Sequence, residues 1–218
     1  MMTIKNPCVL ILGIVLLMNA CKKDGGDYRY SNAQHLFPGN SYEYLKSNTG
    51  RFDSLLLVLD RLHLSDSLKT GKYTLFAPTN TSFRFVLENL NDIRKAKQLP
   101  PIYLQQADSA QLDTMMTKYI VRQVFNAGDM NYADGITMYS VRYTYSMNGR
   151  QRTTNAEGVI GGGPAYLEYS DMRKSKYTRE WVTTTTQSVN LATTTGMVHV
   201  LRDDHAFGFD EFVLRLNK

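Results

Sequence analysis

One thirteen-residue run constrains the fold more than any other part of the chain. Gly71 to Phe83 reads GKYTLFAPTNTSF. Tyr73, Thr74, Leu75 and Phe76 alternate as a strand does, and Pro78, lacking an amide hydrogen, ends the ladder. Thr79 or Asn80 then offers a side-chain oxygen to the free amides of a following helix, whose first buried turn carries Phe83. Such a run is a joint between a strand and a helix. Gly71 stands alone on the wrong side of the strand for a phosphate loop. The Gly-x-Ser-x-Gly of a nucleophile elbow is missing. Thr79, Thr81 and Ser82 have no histidine or carboxylate close in sequence.

The rest of the chain divides around this joint. Tyr44, Leu45, Phe52, Leu55, Leu56, Val58, Leu59 and Leu62 recur at spacings of three and four, which predicts one or two helices broken at Gly50. Phe83, Val86, Leu87 and Leu90 make the stripe of another. Residues 91–108 read as a long polar connection, and Asp108 or Ser109 caps a helix carrying Leu112, Met115, Met116 and Tyr119. From Ile120 onward, short β-branched and aromatic runs predict strands within 120–125, 136–145, 150–154, 181–186 and 197–201. Asn148-Gly149 between two of them is a hairpin signal. Helices first and strands later define a segregated α+β domain.

The first twenty residues are a separate object. Lys5 precedes an apolar run from Val9 to Met18 that is too short to span a bilayer and suits a secretory signal peptide. It ends at Leu17-Met18-Asn19-Ala20-Cys21, which resembles the lipobox of bacterial lipoproteins, where the cysteine is lipidated and becomes the new N-terminus. The alternative is ordinary cleavage near Ala20. Of the two cysteines, Cys8 leaves with the signal peptide, so Cys21 is the only one in the mature chain and no disulfide can form. Residues 21–40, rich in charge and glycine at the start, read as a tether ending at Phe37-Pro38-Gly39-Asn40. By the same resemblance, Lys22 after the cysteine favours the outer membrane of a Gram-negative-type cell, facing the surface or the periplasm. A net charge of +5 over 218 residues is too mild for a nucleic-acid binder.

Tyr73-Thr-Leu-Phe-Ala-Pro-Thr-Asn-x-Ser-Phe83 resembles the first signature of fasciclin domains, with Thr74, Phe76, Ala77, Pro78, Thr79 and Phe83 as its fixed points. Gly196-Met-Val-His199-Val-Leu201 resembles the closing segment of that family, and Lys118-Tyr119-Ile120-Val121-Arg122 lies where the family has a tyrosine-histidine block. The resemblance runs over roughly residues 41–216, within a domain of 41–218 carrying insertions near 91–108 and 155–190. It implies a β-wedge or sandwich of short strands with helices packed alongside, acting outside the cytoplasm in adhesion or binding rather than catalysis. Ile120 stands in place of the family's histidine, so the integrin binding associated with that block in animal members is not carried over.

His199, between Val198 and Val200, reads as a buried structural histidine. Asp203 and His205 could share a metal, but no third ligand accompanies them, and neither a metal nor a cofactor is expected. His205 to Phe209 reads instead as a turn returning the C-terminus to the core. Candidate ligand-binding residues are the tyrosines Tyr139, Tyr143 and Tyr145, with Tyr132 nearby, and the basic aromatic segment holding Arg173, Lys174, Lys176 and Trp181. Tyrosine offers a large rigid face with a polar tip, and a basic aromatic loop suits a glycan, an acidic polymer or a partner protein. Two further functions stay open: glycan capture for an outer-membrane nutrient-uptake system, and a cell-surface hydrolase. The hydrolase needs Glu157, Glu168 or Asp171 paired with a second acid.

Overall fold

The computed structural model describes residues 35–156 and 160–217. The signal peptide, Cys21, most of the tether and Glu157 lie outside them. The described chain runs β1 (His35–Leu36), α1 (Ser41–Ser47), α2 (Asp53–Arg61), α3 (Ser65–Thr70), β2 (Tyr73–Ala77), α4 (Asn80–Ala96), α5 (Ser109–Met116), β3 (Ile120–Arg122), β4 (Ile136–Tyr139), β5 (Ser146–Thr153), β6 (Ala165–Asp171), β7 (Val182–Ala192), β8 (Gly196–Leu201) and α6 (Phe212–Leu216). The expected order, helices first and strands later, is observed. Gly50, with φ of 83°, separates α1 from α2, and Asp108 caps α5 by accepting the Gln111 amide.

The joint lies at the centre of the sheet. β2 pairs antiparallel with β3 and parallel with β8. Alternation predicts one buried face, yet Thr74, Leu75, Phe76 and Ala77 are all buried, because a central strand covered on both faces has no solvent side. A Cβ at Gly196 would be driven into the Tyr73 carbonyl, so glycine permits the close approach of β8.

The capping expectation is corrected. Thr79 holds the N-cap position of α4, but its side chain makes no capping bond. Its hydroxyl donates instead to Asp203 at 2.6 Å. Asn80 turns back to the other side, where its Oδ1 accepts the Ser54 amide at 2.8 Å and its Nδ2 donates to the Gly50 carbonyl and the Asp53 carboxylate. Asn80 therefore caps α2, a helix nearly thirty residues upstream.

Among the described residues the strand order is β3-β2-β8-β7-β6-β5-β4, with β1 added beside β7. β7 belongs to both halves, pairing with β6 over Val182–Thr185 and with β8 over Thr186–Ala192, with register shifts in the second stretch. Such irregularities bend a strand, and the halves close on one another as a wedge. Phe76 of β2 stacks on Tyr169 of β6 with ring centroids 3.6 Å apart. The edges meet where Val121 bridges to Ser140. Leu55, Val58, Leu59, Phe83, Val86 and Leu112 fill the helix side.

Several boundaries differ from expectation. Residues 91–96 are the last turns of α4, and Asn91 grips both the amide and the carbonyl of Ile102. Asn148 and Gly149 lie inside β5, and the β4–β5 turn falls at Tyr143 and Thr144, with φ of 59° and 51°. Gly149 is small because a Cβ there would meet Met130 and Met138. The region 155–190 contains β6 and most of β7, with Leu167 and Tyr169 in the core. His35 and Leu36 pair with Leu191 and Ala192, so the end of the tether belongs to the sheet.

Candidate functional site

The connection from β6 to β7, Met172 to Trp181, carries most of the basic and aromatic candidates. Side chains on β6 alternate between the two faces of the sheet. Leu167, Tyr169 and Asp171 turn to the helix side, whereas Glu168 and Ser170 line the opposite face. The connection follows this split and contributes to two separate clefts.

The helix-side cleft holds about 360 Å³ and is lined by Lys118, Tyr145, Ser146, Asp171, Arg173, Lys174, Glu211 and Arg215. Lys118 lies at its base, buried, with Nζ 2.6 Å from Asp171 and 2.7 Å from Glu211. The Tyr145 ring centroid is 5.2 Å from the same ammonium, within cation–π range. Arg215 also reaches Glu211, at 2.6 Å. Burial pushes the Glu211 carboxyl up, but Lys118 and Arg215 outweigh it and hold the group below the usual carboxylate range. The Arg173 guanidinium pairs with Asp210, which raises its pKa, and its backbone amide donates to Asp171. This network fastens β6 to α6 and to the turn before β3.

The opposite cleft is larger, at about 600 Å³, and is lined by Asp134, Asn148, Arg150, Glu168, Ser170, Lys176, Thr178, Trp181 and Thr183. Arg150 lays Nε and Nη2 against one oxygen of Glu168, at 2.8 and 2.5 Å. Ser170 and Thr183 share a hydroxyl hydrogen bond of 2.8 Å. Trp181 donates its indole N–H to the Ser175 carbonyl at 2.9 Å.

The candidate residues thus separate into three groups. Tyr145, Arg173 and Lys174 come together on the helix side, and Lys176 and Trp181 on the opposite face. Tyr139 and Tyr143 line neither cleft. Tyr143 is exposed, but its hydroxyl bonds to Asp113, and that bond raises its pKa. Lys118, Glu211, Arg215 and Arg150 were not anticipated. Lys118 had a signal: it is the one charge between Met115 and Val121 in a mostly apolar run.

His199 is buried as expected. Its Nδ1 accepts the Asn190 amide at 3.2 Å, its Nε2 lies 3.0 Å from the Phe125 carbonyl, and burial lowers its pKa to about 4. Asp203 and His205 do not converge, since Asp203 accepts from Thr79 and His205 meets Tyr119. Among the described residues no group of three or more acids, histidines or cysteines is placed to hold a metal. Glu168 and Asp171 face opposite sides of β6 and are each bound to a cation; Asp171 shares the Lys118 ammonium with a second acid, Glu211, and Glu168 shares its cleft with Asp134.

The signature residues are used structurally. Thr74 donates to the Gln123 carbonyl and accepts the Phe125 amide, fixing the chain after β3 to the central strand. Phe76 lies between Tyr169 and His199, and Phe83 stacks on Phe207.

No curated protein matches this chain. Among solved structures, a FAS1 domain pair from the insect cell adhesion molecule fasciclin I is similar, with 17% identity and a TM-score of 0.42; the match covers 77% of this chain and 44% of that one. The chain therefore spans less than half of that domain pair. The family model of the Fasciclin domain matches residues 50–203. That stretch takes in the central joint, the turn bearing Lys118 and Tyr119, both clefts' shared connection and the closing strand β8, and the chain belongs to the fasciclin-domain family.

Proposed function

We propose that this protein is an extracytoplasmic binding protein of the adhesion type, held on the outer membrane through a lipid on Cys21. It recognises a protein or polysaccharide at the cell surface and carries out no catalysis. The observation that supports binding most directly is how the charged groups of the two clefts are used. Lys118, Asp171, Glu211 and Arg215 neutralise one another, as do Arg150 and Glu168. Paired groups of this kind shape a recognition surface, whereas catalysis asks for a base or nucleophile poised near a second reacting group. The acids weighed for the hydrolase, Glu168 and Asp171, are each held by a cation, which weighs against it. Family membership adds the adhesion class, and the Leu17-Met18-Asn19-Ala20-Cys21 segment supports the anchor.

The second reading, glycan capture for a nutrient-uptake system, is favoured by the Trp181 cleft. Both are tested by presenting residues 22–218 to a glycan array and to envelope extracts in a pull-down. Capture of neither class sinks the binding function. The anchor has its own test: Cys21→Ala should move the protein from the membrane fraction to the soluble one, and retention on membranes would refute the lipid attachment.

A further inference from the structure

The geometry points to the Trp181 cleft as a site for an uncharged oligosaccharide, an inference that rests on the glycan-capture reading above. A pyranose ring has two demands. Its C–H face seeks an apolar plate, and its neighbouring hydroxyls seek planar polar groups that donate and accept side by side. Trp181 meets the first. Its N–H is already satisfied by Ser175, so what it contributes to the half-buried wall is carbon surface. The second demand is met by Asp134, Asn148, Arg150 and Glu168 together with the hydroxyls of Ser170, Thr178 and Thr183.

Charge selects the class of ligand. Asp134 and Glu168 balance Arg150 and Lys176 among the lining residues, and Arg150 is already committed to Glu168. A polyanion such as a sulfated glycan or a nucleic acid would meet two carboxylates here, with Arg150 and the adjacent Arg152 already held by Glu168. The ion pair also makes the floor rigid, because each partner fixes the other before a ligand arrives, and a preorganised site loses less on binding. A volume of about 600 Å³ lies well within the range of small-ligand sites.

The chain contains a single tryptophan, so indole fluorescence reports on this cleft alone. The detergent-solubilised full chain is titrated with maltotriose, cellotriose, mannotriose and xylotriose, and with a heparin-derived oligosaccharide for comparison. At least one neutral sugar is expected to shift or quench the emission. Trp181→Ala should weaken that sugar at least about tenfold by calorimetry, while Trp181→Phe, which keeps a ring, should retain most of the affinity. Unchanged circular dichroism of both variants excludes misfolding as the reason. Sugar binding that leaves the emission unmoved and survives Trp181→Ala overturns this site but leaves glycan capture standing. A response to heparin in preference to every neutral sugar overturns the uncharged class. Silence towards all sugars, with a protein captured from envelope extracts, overturns the inference and leaves adhesion.

Discussion

Tyr119 and His205 meet through a 2.7 Å hydrogen bond between Oη and Nε2, with both side chains buried. The same hydroxyl accepts the Gly208 amide at 2.7 Å. Burial holds His205 neutral, lowering its pKa to about 3. Tyr119 has no histidine beside it in sequence and meets one from the C-terminal turn instead.

This pairing, together with His199, makes the fold acid-sensitive. Both imidazoles have folded pKa values below their ordinary 6.5, about 3 and about 4. The unfolded chain therefore binds protons that the folded chain refuses, and stability is lost as pH falls below about 6.5. By pH 5 the loss is on the order of 2 kcal/mol for each histidine. The lowered Glu211 carboxyl adds its loss only in the carboxylate range further down. Urea unfolding at pH 7, 6 and 5 should show a falling midpoint, and His199→Asn should flatten that slope. A midpoint constant from pH 7 to 5 would refute this account.

Lys118→Met should be among the most damaging single changes. It leaves Asp171 buried without its cation, and removing one partner of a buried pair costs about 3–5 kcal/mol. Adding Asp171→Asn should restore part of the loss, because Glu211 keeps Arg215. A double variant as unstable as the single one would show that the pairing is not the source.

Asn80→Ala should destabilise the protein by about 1–2 kcal/mol through α2, not through the helix in which Asn80 sits. Amide hydrogen exchange separates the two. Faster exchange is expected at Ser54 and its neighbours, with residues 82–86 little changed. Faster exchange at the start of α4 instead would contradict the assignment.

Gly149→Ala should lower stability by about 1 kcal/mol, through overpacking against the flexible ends of Met130 and Met138 rather than through loss of a turn. Met130→Ala in the same chain opens space for the new methyl, so the double variant should lose less than the two single losses added. Strict additivity in a thermal unfolding cycle would count against the packing explanation.

The joint at residues 71–83 was legible because everything that shapes it is local: alternation, a proline, and small polar residues before an apolar stripe. The destinations of Thr79 and Asn80 were not, because Asp203 and Ser54 reach them only through the completed fold. Asn148-Gly149 misled for a related reason. A glycine selected by the space beside two methionines is spelled the same way as one selected by a turn. β6 was hidden because its Glu168 and Ser170 face a polar cleft and its neighbours Arg173 and Lys174 suggest a loop. For the candidate site, the sequence pointed to the right connection but could not show that its side chains part to two faces. The anionic partners of Lys118 come from β6 and the C-terminal helix, far along the chain.

The parallel pairing of β2 with β8 also dictates a folding order. Leu75 lies beside Val198, so the central strand waits for a partner from near the end of the chain. Closing so long a loop demands entropy before its contacts repay it, and topologies rich in such contacts fold slowly. Helices α1 to α3 can gather early, yet β2, buried on both faces in the finished molecule, stays half-covered until β8 arrives. Until residues 196–201 have left the ribosome the domain stays open, with Leu75 and Phe76 of its central strand uncovered.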